Sequence, residues 1–171
     1  MTDVWSPEKR SEVMSRIRSR DTKPELIVRS LLHRSGVRFS LRRRDLPGNP
    51  DIVMPKHSTV VFVHGCFWHQ HPGCTEASMP KTRAAFWRDK LGKNVERDRR
   101  NQRALRKLGW KVLVVWECQV LKEPLVVLRR ILRTIKPDGA HVNYERLPDQ
   151  RTLLREAEER LQWSLKRRSV G

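Results

Sequence analysis

Apolar and polar positions along the chain change rhythm several times, and each change predicts an element. Val13, Met14 and Ile17 lie on one side of residues 7–19, among arginines and serines, predicting a first helix. Asp21-Thr-Lys-Pro-Glu25 is a helix-start signal, with Thr22 as cap and Glu25 three residues on. The following helix turns Leu26, Ile27, Leu31 and Leu32 inward and stops at Gly36. Val37 to Arg43 alternates and predicts a strand with a basic outer face, and Asp51-Ile-Val-Met54 a second. Thr59-Val-Val-Phe-Val63 and Trp110-Lys-Val-Leu-Val-Val-Trp116 are short β-branched runs bounded by turn residues, the pattern of buried strands. Residues 94–108 read as an arginine-dense helix ended by Gly109, and 121–134 as an apolar packing helix. Residues 151–168 read as an amphipathic, highly charged terminal helix. Helices alternating with strands predict an α/β domain over residues 1–135, followed by a C-terminal appendage, 136–171, that is mainly helical.

Charge narrows the partner. Lys+Arg 37 against Asp+Glu 19 gives a net charge of +18, an excess that favours polyanions through counterion release. No apolar run reaches the ~20 residues of a membrane span. The N-terminus lacks the charged start and apolar middle of a signal peptide, so an intracellular protein is expected. Three cysteines in a reducing compartment favour metal binding over a disulfide framework.

The candidate chemistry is concentrated between Leu46 and Cys74. Cys66, His71, Cys74 and the distant Cys118 form a sulfur-rich set of four that suits tetrahedral structural zinc. Incidental buried cysteines are the simpler alternative. Asp51, entering a strand after a proline turn, can hold Mg²⁺, to which a main-chain carbonyl at the end of strand 59–63 adds an oxygen. His69 has the pKa range of a general acid or base near neutral pH. Phe67 and Trp68 are either core aromatics or apolar wedges of the kind that open base steps. For Glu25 the plain role is capping.

Taken together, Leu-Pro-Gly-Asn-Pro-Asp51, His64-Gly-Cys66-Phe67-Trp68-His69, Phe86-Trp87, Gly92-Lys-Asn94-Val-Glu-Arg-Asp98, Leu108-Gly-Trp110 and Val-Trp116-Glu-Cys118 resemble the very-short-patch repair (Vsr) DNA mismatch endonucleases over residues 9–120. The resemblance implies a restriction-endonuclease-like α/β core, a mixed central sheet flanked by helices, with one structural zinc site. It implies an Mg²⁺-dependent enzyme that nicks one strand of double-stranded DNA beside the T of a T:G mismatch left by 5-methylcytosine deamination. In that scheme Asp51 binds the metal with Val63, through its carbonyl, and His69 is the general base. Glu25 and His64 support the site, and Cys66, His71, Cys74 and Cys118 hold zinc. Phe67, Trp68 and Trp87 form the major-groove wedge, Met14 and Ile17 press from the minor-groove side, and Lys90 and Asn94 read the mispaired bases. The expected setting is a monomer in the bacterial cytoplasm, associated with the nucleoid and in contact with mismatch-repair proteins. This chain has Phe62-Val63-His64 where related nucleases carry an acidic-x-lysine pair, and valine where a threonine is familiar at 63. Its His71-Pro-Gly-Cys74 spacing is one residue longer than the usual form. Two other readings fit the composition: a restriction-type nuclease on matched duplex, and a zinc-stabilised DNA-binding module without catalysis.

Overall fold

The computed structural model describes residues 20–41, 43–135 and 147–166. The expected first helix, with Met14 and Ile17, lies outside the described residues. Helix α1 spans Lys23–Arg34; Glu25 reaches back to the Thr22 main-chain N–H, and Pro24 occupies the first turn, where no donor is needed. Its inward side is Ile27, Val28, Leu31 and Leu32, with Leu26 only partly covered. Gly36, at φ +73°, turns the chain away.

Three strands form the sheet: β1 (Ile52–Met54), β2 (Thr59–His64) and β3 (Lys111–Trp116), in that spatial order. β1 runs antiparallel to β2, pairing Val53 with Val60. β3 runs parallel to β2, pairing Val63 with Val115 and His64 with Trp116. The sheet is mixed, as expected. The parallel pair requires a crossover, which helix α2 (Ala84–Lys107) supplies. α2 begins ten residues before the expected Asn94 start, running continuously from Ala84. Among the described residues of the expected strand at 37–43, the pairing is a single bridge, Ser40 to Val53. β1, with Pro50 two residues before it and Pro55 directly after it, offers only three residues of edge to pair against.

β3 leads without a loop into helix α3 (Glu117–Lys122), followed by α4 (Pro124–Ile135). A single helix over 121–134 was expected. Pro124 has no N–H and disfavours helical geometry at Glu123, which adopts φ −139°, so the pattern divides in two. Helix α5 (Gln150–Lys166) closes the described chain.

Side-chain alternation along the strands builds two cores. Ile52, Met54, Val61, Val63 and Val115 face α1 and α4 together with Ile27, Leu31, Leu128 and Ile131. Val53, Val60 and Phe62 face the other way, onto Leu46 and Leu105 of α2. Burial on both faces explains why β2 carries a continuous apolar run, Val60–Val63, rather than alternating. α5 belongs to the first core, with Leu153 and Ala157 buried and Glu156 paired to Arg34 at 2.8 Å. Among the described residues no helix is long and apolar enough to cross a membrane.

Candidate active site and metal cluster

The end of β2 delivers His64 into a tightly wound loop. The His69 N–H donates to the Gly65 carbonyl at 3.2 Å and the His71 N–H to Cys66 at 3.0 Å. The Gln70 side chain donates to the Phe67 carbonyl at 2.8 Å. Winding at this density sends neighbouring side chains in different directions: His69 towards the sheet end, Phe67 and Trp68 towards α2, and Cys66 and His71 towards α3.

In the last direction the four expected ligands meet. The ligand atoms of Cys66, His71, Cys74 and Cys118 all lie within 4.8 Å of one another. His71 Nδ1 is 3.3 Å from Cys118 Sγ and 3.7 Å from Cys66 Sγ, which makes Nδ1 its ligand atom. Trp116 stacks on the face of the His71 ring, centroids 4.2 Å apart, and fixes its plane. Burial pushes the Cys66 thiol up to about 12, so ionising it needs a neighbouring cation. Three thiols and one imidazole without a carboxylate are the donors of a soft, four-coordinate ion, and the set fits zinc.

Towards the sheet end lie the candidate catalytic groups. Asp51 sits just before β1, and its Oδ2 accepts the Val63 N–H at 2.7 Å, which ties the aspartate to the end of β2. Burial raises its carboxyl to about 6; the Val63 N–H pulls it down, the Glu25 charge adds to the rise, and Arg29 and His69 oppose it. A carboxylate that costly to ionise is stabilised by a hard cation, and the oxygen-only chemistry of Asp51 with a main-chain carbonyl fits magnesium. Glu25 is buried and fully engaged: it accepts the Asp21 N–H at 3.1 Å, the Thr22 hydroxyl at 2.9 Å and a guanidinium N–H of Arg29. Its position is that of a cap and an ion-pair partner whose charge is felt at Asp51.

His64 and His69 stack, ring centroids 3.8 Å apart and planes 14° from parallel. Burial, then the facing His69, lowers His64 to about 4 against a smaller opposing effect of Asp98, so it is a neutral ring at physiological pH. Asp98, on α2, meets His69 Nδ1 at 2.5 Å. An ionised carboxylate only accepts, so Nδ1 carries the proton and Nε2 keeps a lone pair for a proton of water. Sequence reasoning missed Asp98. Its signal was its place four residues beyond Asn94, on the same helical side.

In the direction of α2, Phe67, Trp68 and Trp87 make one aromatic cluster, with centroids 5.1, 5.4 and 6.1 Å apart. Phe86, also missed, packs edge-on to Trp87 and is 45% exposed. Lys90 Nζ lies 5.6 Å from both tryptophan rings and 5.7 Å from Phe86, within cation–π range. The Asn94 amide donates to the Trp68 carbonyl at 3.2 Å. Every expected site residue among the described ones therefore falls at this end of the sheet or on its α2 side.

Fold and site together define an α/β protein with a Cys/His cluster fit for a metal, beside a buried carboxylate and a histidine–aspartate pair. A family model described as DNA mismatch endonuclease Vsr matches residues 2–76. The chain is 52% identical to the type II nicking enzyme V.XorIIP of Xanthomonas oryzae pv. oryzae over 120 residues, 70% of this chain and 88% of that protein. It is 45% identical to the type II nicking enzyme V.NmeAIP of Neisseria meningitidis over 138 residues, 80% and 98% of the two chains. To the DNA mismatch endonuclease Vsr of Escherichia coli K12 it is 48% identical over 118 residues, 69% and 75%. The chain belongs to the Vsr family of DNA mismatch endonucleases.

Proposed function

We propose that this endonuclease nicks one strand of duplex DNA beside the T of a T:G mismatch, by magnesium-assisted hydrolysis at Asp51 with His69 as general base. The observation that carries this reading is the convergence of Asp51, His69 and Asp98 within one end of the sheet. Asp51 and the Val63 carbonyl would hold the magnesium, which supplies charge stabilisation of the phosphate and leaving oxygen. Because Val63 acts through its main chain, its lack of a hydroxyl is harmless. The chain's own residues do the rest. His69 Nε2 takes a proton from water as its oxygen bonds to phosphorus and the bond to the leaving sugar oxygen breaks. Asp98 stabilises the resulting imidazolium. Neutral His64, stacked against it, orients the ring without adding a like charge. Glu25 supports the site at one remove, by holding Arg29 and α1 in place.

Cys66, His71, Cys74 and Cys118 would hold a structural zinc that fastens the loop of His69 to α3. Phe67, Trp68 and Trp87, with the exposed Phe86, form an apolar wedge for the weakened base step, and Lys90 and Asn94 stand beside it to read the bases. Met14 and Ile17 complete the grip from the minor-groove side. The core enzyme is residues 1–135 with a restriction-endonuclease-like arrangement, and 136–171 is an appendage whose helix packs back onto α1. The protein works as a monomer on nucleoid DNA in the cytoplasm, in contact with mismatch-repair proteins. The test is strand-specific nicking of a T:G duplex by wild type and by Asp51→Asn: activity in the first and none in the second is expected. Retained nicking in Asp51→Asn removes the assignment.

A further inference from the structure

Helix α2 is unusual in what its inner side touches. Positions 87, 91, 94, 98, 101 and 105 recur at steps of four and three, the spacing of one helical face. Along that face Trp87 packs in the aromatic cluster, Leu91 is buried, and Asn94 holds the Trp68 carbonyl. Asp98 then holds His69, and Leu105 enters the core beneath β1 and β2. The remaining position, Asn101, meets the Leu46–Asp51 turn at Gly48. A methyl group on Gly48 would lie 2.9 Å from both Cβ and Nδ2 of Asn101 and 3.2 Å from its Cγ, closer than atoms can pack. The turn main chain therefore rests directly on the helix. Leu46 and Pro50, on either side of Gly48, are buried, so the turn cannot slide freely.

We propose that this face of α2 sets the spacing between the DNA wedge, the general base and the metal-binding carboxylate, and that Asn101 against Gly48 is the positioning contact that fixes the Asp51 turn to it. The inference rests on the reading of Asp51 as the magnesium ligand. One rigid helix then carries the wedge at one end and the Asp51 turn towards the other, so a wedge seated in a mismatch places the scissile phosphate at a fixed distance from water, base and metal. A turn displaced by a methyl group would carry Asp51 with it, and misplacement of about 1 Å can cost on the order of 100-fold in rate.

An internal control separates this contact from simple backbone strain. Gly36 has φ +73°, nearly the φ +77° of Gly48, but nothing lies within 4 Å of a methyl group there. Gly36→Ala and Gly48→Ala therefore suffer the same left-handed penalty, and only the second pushes on α2. The experiment uses the zinc-loaded full chain, with Mn²⁺ binding by EPR and single-turnover nicking of a T:G duplex. Gly48→Ala is expected to weaken Mn²⁺ about tenfold and slow nicking roughly 100-fold, with duplex affinity kept within about threefold. Gly36→Ala should keep both quantities. Adding Asn101→Gly to Gly48→Ala, which removes the obstructing side chain, should restore most of both. Equal behaviour of the two alanine variants, or no recovery in the double variant, overturns the inference. Should Gly48→Ala not fold, Asn101→Ala takes its place: with no methyl group at position 48 to fill the vacated space, the turn loses its stop on α2, so weaker Mn²⁺ at unchanged melting temperature is expected, and unchanged Mn²⁺ affinity overturns it. If Asp51→Asn binds Mn²⁺ as the wild type does, the Asp51 reading fails instead, and the two failures are distinguishable.

Discussion

At the residue scale, Asp51, His69 and Asp98 differ in how they should fail. Asp51→Asn removes the carboxylate proposed to hold magnesium; nicking should fall at least about 100-fold while zinc content, read by metal analysis, stays at one per chain. His69→Ala should lose on the order of 100- to 10,000-fold in the chemical step, the usual worth of a general base. Asp98→Asn leaves His69 in place but frees its tautomer, and a loss of roughly 10- to 100-fold in turnover with unchanged duplex affinity is expected. A fall in duplex affinity alone would make Asp98 a binding residue. The raised carboxyl of Asp51 gives a sign for pH: below about 6 a proton competes for the ligand oxygen, whereas above it the carboxylate is already ionised. Mn²⁺ affinity measured by EPR should fall as pH drops from about 6 to 5, approaching tenfold per unit, and be nearly flat above 7. An affinity independent of pH across that window would exclude Asp51 as ligand. At this scale the candidate groups were legible, because Asp51, His69 and the four Cys/His residues that meet in the metal cluster are chemically conspicuous types. Asp98 and Phe86 were not, since an aspartate among arginines reads as a solvated helix surface until His69 is seen to fold against it.

Elements were legible where one local force decides them. β2 is a run buried on both faces and β3 a β-branched run that is mostly half-buried, with Val115 buried, and both lie close to where the pattern puts them. Among the described residues of 37–43 the expected strand comes down to one bridge, because pairing needs an edge and three-residue β1 provides little. The division of 121–134 into α3 and α4 follows from Pro124 alone. Its consequence reaches the metal cluster: α3 is short, and its first turn carries Cys118 directly off β3. Cys118→Ser should therefore lose zinc and unwind the 65–74 loop, abolishing nicking while the sheet survives; circular dichroism near native with lost zinc is the expected pair of readings. Collapse of the whole fold would show instead that zinc holds the domain together. α5 makes a separate claim. Leu153 is fully buried between α5 and α1, and Leu153→Ala should cost about 2–5 kcal/mol of stability, read by denaturant unfolding, without changing mismatch preference. A cost near zero would show that α5 is not bound to the core in solution.

For the whole molecule, charge and architecture act together. In the proposed function the net charge of +18 would supply affinity for any duplex, and α2, Phe67 and Trp68 the discrimination. Raising salt should weaken matched and mismatched duplexes alike and leave their ratio nearly constant. Composition announced the polyanion, and motif spacing announced the family; neither showed that one helix touches the aromatic cluster, His69 and the Asp51 turn, because that connection exists only once the crossover lays α2 across the sheet. The most direct test of the account is nicking of a labelled duplex carrying one T:G pair, beside its T:A counterpart, with Mg²⁺ and a panel of flanking sequences. The account predicts one cut, in the T strand, in the mismatched duplex only. Equal cutting of both duplexes, or cutting of neither in every flanking context, would contradict it.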